Sequence, residues 1–189
     1  MTLLLKKLNK TENDVEVNPI FQEGKITKTK KKPFTFIYPS SINPHKNNFK
    51  LLNAFVEAAR KTTKEIELFI TIDKVKLDVP KNLKINFLGL IDHIELLSHL
   101  KKVEFLIFPS LRESFGLPLI EGIQANCKIL SSNLNFATEL INPTYIFDPY
   151  NEKSITDVIL LALSNKKHPK SSIKIKNSIN SIFKELINV

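Results

Sequence analysis

Short apolar runs alternate with longer segments of helical periodicity from Pro33 onwards, and this alternation limits the fold more than any other feature of the sequence. The apolar runs are rich in Ile, Leu, Val and Phe, which is typical of strands buried on both faces of a sheet. They predict strands at 34–39, 65–72, 83–89, 103–108, 127–132 and 145–147. Strands separated by helices run parallel, because each helix returns the chain to the edge from which it started.

The segments between these runs carry apolar residues three and four positions apart, as amphipathic helices do. They predict helices at 47–61, 92–102, 118–125, 135–141, 151–165 and 171–187, with Asn47 and Asp92 as N-caps of the first two. The fold class that follows is α/β, a doubly wound, mostly parallel sheet of the Rossmann type. Ligands bind such sheets beyond the carboxyl ends of the strands. The loops in which we expect a site are therefore 39–46, 89–92, 109–117 and 132–135.

The two ends of the chain differ in character from this central region. Residues 1–32 are polar and rich in lysine, which is typical of a leader or an interdomain linker. Residues 33–165 hold the predicted sheet and form the expected folded domain. Residues 166–189 are expected to form a helical tail.

Composition narrows the classes of function. No apolar run approaches the ~18 residues that cross a bilayer. The single cysteine, Cys127, has no partner for an internal disulfide. We therefore expect a cytoplasmic protein. The formal net charge is +9, and only Arg60 and Arg112 are arginine. Such a charge suits a phosphorylated ligand, nucleic acid or anionic lipid, and the last would place the protein peripherally on the inner membrane. The chain lacks arginines interleaved with aromatic residues, which disfavours nucleic acid.

One segment, SLRESFGLPLIEG at 110–122, combines a glycine, a proline and two carboxylates. Pro118 suits the first turn of a helix, and Gly116 can adopt a positive φ there. The backbone N–H groups at such a helix start attract anions. Glu113 and Glu121 could flank one pocket and accept hydrogen bonds from vicinal hydroxyls. Phosphate and hydroxyl recognition together fit a sugar nucleotide, whereas the alternative is that both acids are solvated surface residues.

The longer motif FPSLRESFGLPLIEG resembles the signature of retaining glycosyltransferases of the GT-B fold, of the family-4 type (group 1). Other segments agree with that family in the same order. They are NPHKNNFKLLNAFVEA, INFLGLI, SNLNFATELI and YIFDPYNEKSITDVI. The resemblance covers residues 33–165 and implies that they form only the second, C-terminal half of a GT-B architecture, the domain that binds the nucleotide-sugar donor.

The resemblance also implies a role for individual residues. Glu121 would bind the ribose hydroxyls, and Glu113 would bind the donor sugar near the reacting carbon. Lys46 would pair with the diphosphate, so that Lys46 and Glu113 are the expected catalytic residues. The N–H groups of Gly116 and Leu117 would hold the distal phosphate or the sugar.

Three further residues complete the implied donor site. Ser114 and Phe115 belong to the same loop, and Leu90 would lie beside the nucleotide base. Ser41 is a departure, because many relatives carry an arginine near that position that also contacts the diphosphate.

The activity implied is transfer of a sugar from a nucleoside diphosphate sugar, such as a UDP- or GDP-sugar, to a saccharide or lipid-linked acceptor with retention. Such a hexosyltransferase would need neither a metal nor another cofactor and would act in polysaccharide assembly. It would require an acceptor-binding domain, so the chain would be either a fragment or one partner of a two-chain enzyme. The first alternative is a non-catalytic sugar-nucleotide-binding module or an inactive remnant. The second is an unrelated flavodoxin-like or nucleic-acid-binding protein.

Overall fold

A computed structural model of the 189-residue chain describes residues 30–174. The strands are β1 (Lys32–Tyr38), β2 (Ile66–Ile70), β3 (Leu83–Phe87), β4 (Val103–Phe108), β5 (Lys128–Ser132), β6 (Ile141–Asn142), β7 (Tyr145–Phe147) and β8 (Ser172–Ile173). The helices are α1 (Asn48–Arg60), α2 (His93–Lys102), α3 (Leu117–Gln124), α4 (Asn135–Thr138) and α5 (Glu152–Ser164). A 3-10 turn, Pro44–Lys46, precedes α1.

Six parallel strands form the main sheet, in the order β3-β2-β1-β4-β5-β7. This is the order of a doubly wound Rossmann-type sheet, and its direction of winding reverses between β1 and β4. Because β1 and β4 are hydrogen-bonded neighbours, with Phe36 opposite Phe105, the loops that follow them meet at the carboxyl edge of the sheet. The predicted fold class is confirmed.

Both faces of the sheet are covered by helices. On one face the ring of Phe36 stacks on Phe105 at 4.8 Å and meets the edge of Phe55 of α1 at 5.1 Å. On the other face α3 lies so close that a Cβ at Gly122 would come within 2.9 Å of Leu106 and of Ile129. A glycine is therefore needed for α3 to reach this depth on the sheet, next to the acid that we assigned to the ribose.

The predicted elements agree with the structure within a few residues, except near the C-terminal end. The predicted helix 135–141 ends early, because Ile141 belongs to β6, which pairs antiparallel with β8. The predicted helix 171–187 is wrong at its start, because residues 172–173 form the strand β8. The hydroxyl of Ser171 accepts the N–H of Ile129 at 3.0 Å and holds the chain extended there. Positions 175–187 of that helix, and residues 1–29 of the leader, lie outside the described residues.

No helix between Lys30 and Lys174 combines the length and the hydropathy required to cross a membrane.

Candidate functional site

The loops that follow β1 and β4 are joined by backbone and side-chain hydrogen bonds. The N–H of Leu111 donates to the carbonyl of His45 at 2.7 Å. Asn47 is the N-cap residue of α1, as predicted, with a positive φ of 61°, but its side chain makes no capping hydrogen bond. Its amide instead donates to the carbonyls of Pro109 at 3.3 Å and Pro149 at 2.8 Å. One asparagine thereby fixes three loops at the carboxyl edge.

A buried tyrosine, Tyr38, also stabilises this junction between the loops that follow β1 and β4. The hydroxyl of Tyr38, at the end of β1, donates to the carbonyl of Lys46 at 2.7 Å. It also lies 2.9 Å from the hydroxyl of Ser110, which can donate to it. Burial raises the pKa of Tyr38 well above its ordinary value, an effect that outweighs the hydrogen bond with Ser110. The hydroxyl therefore remains protonated and keeps Lys46 beside the loop after β4.

Lys46 and Glu113 come together across this junction. The Nζ of Lys46 lies 2.5 Å from Oε1 of Glu113, and the two side chains are only 15% and 14% exposed. The same Nζ lies 5.7 Å from the centroid of the Phe108 ring. The pair is thus a partly desolvated ion pair at the reversal point of the sheet, where α/β proteins bind their ligands.

The start of α3 has the form predicted from the sequence. Gly116 is the N-cap with a φ of 60°, and Pro118 follows in the first turn. A Cβ at Gly116 would lie 3.1 Å from a methyl group of Leu140, so glycine is favoured by both backbone and space. Within the described residues the N–H groups of Gly116 and Leu117 have no hydrogen-bond partner. They are donors available to an anion.

Glu121 lies on the second turn of α3 and is 8% exposed. Its Oε1 is 3.0 Å from Nε2 of His93, the first residue of α2. His93 was missed in the sequence analysis. The available signal was its place directly after Asp92, whose carboxylate caps α2 as predicted by accepting the N–H of Glu95. Glu113 and Glu121 therefore have separate partners, from the loops after β1 and β3.

The remaining predicted residues lie on the outer rim of the same edge. Leu90, in the loop after β3, is fully exposed, and the side chain of Phe115 is 79% exposed. Ser114 is also exposed. No hydrogen bond or ion pair joins the side chains of these three residues to the Lys46–Glu113 pair. Among residues 30–174 no group of three or more His, Cys, Asp or Glu could hold a metal ion.

Proteins of similar sequence identify the family of this chain. The family model described as glycosyl transferases group 1 matches residues 20–178, which is most of the chain. The chain belongs to this family. It is similar to the O-antigen biosynthesis glycosyltransferase WclY of Escherichia coli, with 25% identity over 120 residues. That alignment covers 55% of this chain but only 33% of WclY, so the chain spans about a third of the curated relatives that it matches.

Several solved structures share the fold of this family member. The catalytic domain of a cholesterol-alpha-glucosyltransferase from Helicobacter pylori has a TM-score of 0.56 and 23% identity, over 71% of this chain and 89% of that one. HepE from Anabaena, solved with UDP and glucose, has a TM-score of 0.56 and 15% identity, over 70% and 39%. A trehalose-phosphate synthase from Burkholderia vietnamiensis has a TM-score of 0.58 and 11% identity, over 70% and 37%. These similarities confirm the GT-B type of fold.

Proposed function

We propose that this chain binds a nucleoside diphosphate sugar at the carboxyl edge of its sheet, as the donor-binding half of a retaining glycosyltransferase. The observation that carries the proposal is the Lys46–Glu113 ion pair across the β1–β4 junction, in the same loop that leads to the N-cap of α3 at Gly116. A cation, free N–H groups and acids at one place suit a ligand that carries both phosphates and hydroxyls.

Lys46 is the residue that we assign to the pyrophosphate. Its backbone is held by Tyr38 and its ammonium by Glu113, so it is already positioned before a ligand arrives. When the bond between the sugar and the phosphate breaks, negative charge grows on the departing diphosphate. A fixed ammonium and the N–H groups of Gly116 and Leu117 would stabilise that charge in the transition state.

The two glutamates bind different parts of the donor in this proposal. Glu113 would exchange its contact with Lys46 for the sugar hydroxyls once the diphosphate has engaged the ammonium. Glu121 would accept hydrogen bonds from the ribose hydroxyls, with His93 holding its carboxylate in place. Leu90, Ser114 and Phe115 would form the rim around the base and the sugar.

The acceptor would be a saccharide or a lipid-linked glycan, bound by a second domain that lies outside the donor-binding residues. WclY is described as an O-antigen biosynthesis enzyme, which supports polysaccharide assembly as the setting. Neither a metal nor another cofactor takes part in the proposed reaction, because lysine and backbone N–H groups meet the phosphates.

A second candidate is a sugar-nucleotide-binding module without catalysis of its own. The observation in its favour is Ser41, a neutral residue near the position at which the family resemblance implies an arginine. Its carbonyl accepts the amide of Asn48 at 2.6 Å, and its hydroxyl accepts the amide of Asn43 at 3.1 Å. The serine is therefore part of a neutral turn, and Lys46 alone would carry the phosphate charge from this loop.

Calorimetric titration with UDP and GDP tests the donor site. We expect at least one of them to bind, and Lys46→Ala to abolish measurable binding. The matched control is Lys50→Ala, which removes a lysine that donates to the carbonyl of Tyr150 one turn further along α1. If neither nucleotide binds, or if both variants lose binding equally, the proposed site is wrong.

A transfer assay separates the two candidates. Labelled UDP-sugar and GDP-sugar are incubated with glycan acceptors and the chain, with and without an acceptor-domain chain supplied separately. Transfer or donor hydrolysis that depends on Glu113 supports the enzyme. Tight nucleotide binding without transfer under either condition supports the binding module.

A further inference from the structure

Lysine side chains gather at the amino edge of the sheet, opposite the candidate donor site. The strands β1 to β5 begin there, and α1, α2 and α5 end there. We call this surface the basic edge and define it by its exposed cations. They are Lys30, Lys32, Arg60, Lys61, Lys81, Lys84, Lys101, Lys102, Lys166, Lys167 and Lys170.

Hydrogen bonds confirm that these distant segments form one surface. The amide of Asn82 donates to the carbonyls of Ala59, Thr62 and Lys64, which joins the start of β3 to the end of α1. The Nζ of Lys31 donates to the carbonyl of Leu100, which joins the start of β1 to the end of α2.

A hydrogen bond also joins the segments of the basic edge next to β7. The hydroxyl of Thr144, just before β7, donates to the carbonyl of Pro169 at 3.0 Å. Lys31, Lys128 and Lys170 line one cavity of about 290 Å³ that opens there. The basic edge is therefore continuous from β3 to β7.

Little acidic charge opposes these cations. Five acids lie on the same segments, and three are already paired: Glu57 with Arg60, Glu67 with Lys32 and Lys84, and Glu104 with Lys128. The other two, Glu65 and Asp78, are exposed and set against eleven exposed cations. Eight of the eleven exposed cations have no acidic partner within the described residues. Lysines in the last turn of a helix stabilise its dipole, which accounts for Lys101 and Lys102. It does not account for the cations on strands and loops.

We propose that the basic edge docks this chain on a membrane surface of anionic phospholipid. Ten of its eleven exposed cations are lysine, whose compact, hydrated charge attracts headgroup phosphates without a fixed geometry. Among residues 30–174 the exposed aromatic side chains are Phe49, Phe115 and Tyr150, which lie at the opposite edge, so the described part of the basic edge has no exposed stacking platform for nucleic-acid bases. Six strands at ~4.8 Å spacing make it about 24 Å wide, enough to cover several headgroups.

Docking in this orientation turns the carboxyl-edge loops away from the bilayer. A six-residue strand such as β4 would hold them roughly 20 Å above the headgroups. The proposal concerns a different surface from the donor site and does not depend on nucleotide binding.

Sedimentation with vesicles tests the proposal on the full-length chain. We expect it to bind vesicles of phosphatidylcholine with one third phosphatidylglycerol at about 0.1 M NaCl, to ignore pure phosphatidylcholine, and to be released by high salt. The triple variant Lys81→Gln, Lys101→Gln and Lys102→Gln removes three cations that have no partner. Each lysine near an anionic surface strengthens binding by about fivefold, so the variant should lose about a hundredfold in partitioning.

The matched control removes the same charge elsewhere, with Lys50→Gln, Lys74→Gln and Lys153→Gln. These residues follow the carboxyl ends of strands, and we expect less than about a threefold loss for them. Both triple variants leave the lysines of the two chain termini intact, and thermal melts check that they fold. Equal losses in the two variants, no binding to anionic vesicles, or binding to a short DNA duplex but not to vesicles would each overturn the proposal.

Discussion

Replacing Glu113 with glutamine tests the most specific feature of the candidate site, the ion pair that a diphosphate has to open. In the ligand-free protein the ammonium of Lys46 is already occupied by Glu113, at 2.5 Å. Glutamine keeps the size and one acceptor oxygen of the side chain, removes its charge and replaces the other oxygen with an NH2 donor. A nucleoside diphosphate would then meet a lysine without a competing carboxylate.

The size of the effect follows from the burial of the pair. Two unit charges about 4 Å apart attract by about 4 kcal/mol at an effective dielectric constant near 20, and desolvation offsets much of this. With side chains 14–15% exposed, we expect a net coupling of about 1 to 2 kcal/mol. If UDP binding breaks the pair, the Glu113→Gln variant should bind UDP about 5- to 30-fold more tightly than the unmodified protein.

Calorimetric titration of UDP at neutral pH measures this gain. The control is Glu139→Gln, which removes an exposed acid from the carboxyl edge and accounts for long-range attraction. The transfer rate of the Glu113→Gln variant should fall even though its UDP affinity rises, because the proposed contact with the sugar is lost. Weaker UDP binding by this variant, or an equal gain in the control, would refute the competition between Glu113 and the diphosphate.

Three further predictions concern the backbone, acid stability and metals. Gly116→Ala forces a Cβ onto a φ of 60° and to within 3.1 Å of Leu140; we expect a loss of about 1 to 2 kcal/mol in unfolding free energy by urea titration and weaker UDP binding. Burial raises the pKa of Glu67, but hydrogen bonds from Lys32, Asn86 and Lys84 outweigh it and lower that pKa to about 2. This carboxylate therefore stabilises the fold above pH 4.5, and its contribution is lost as the pH falls towards 2. We expect about 1 kcal/mol, because solvent screens the partners Lys32 and Lys84, which are 67% and 70% exposed; urea titrations of Glu67→Gln should lack that step. Chelation by EDTA should leave UDP affinity unchanged, and a loss of affinity that added Mg²⁺ restores would contradict the metal-free site.

Local patterns accounted for most of the elements. Predicted strands 103–108 and 145–147 match β4 and β7 residue for residue, because each is an apolar run bounded by polar residues or proline. The turn at Gly116 was also predictable, since a glycine followed by Pro118 favours that geometry in any context. The short strands β6 and β8 were not, because their pairing joins Ile141 to Ile173 across the chain, and neither segment has strand periodicity of its own.

The candidate site also combines features that the sequence predicts with features that it does not. The residue types of the FPSLRESFGLPLIEG segment, and the family to which they belong, follow from the sequence alone, because they depend on neighbours along the chain. The hydrogen-bond and ion-pair partners of those residues do not follow from the sequence alone. Lys46 meets Glu113 across 67 positions, His93 meets Glu121 across 28, and Asn47 reaches Pro149 across 102.

Alternating apolar runs establish by themselves that this chain forms a parallel sheet between helices, because burial on both faces requires such runs. They do not establish which strands are neighbours, since one apolar strand is much like another. Only the packed structure places β1 beside β4 and brings their loops together. The same packing collects lysines from five separate segments on the opposite edge, because parallel strands all begin on the same side of the sheet.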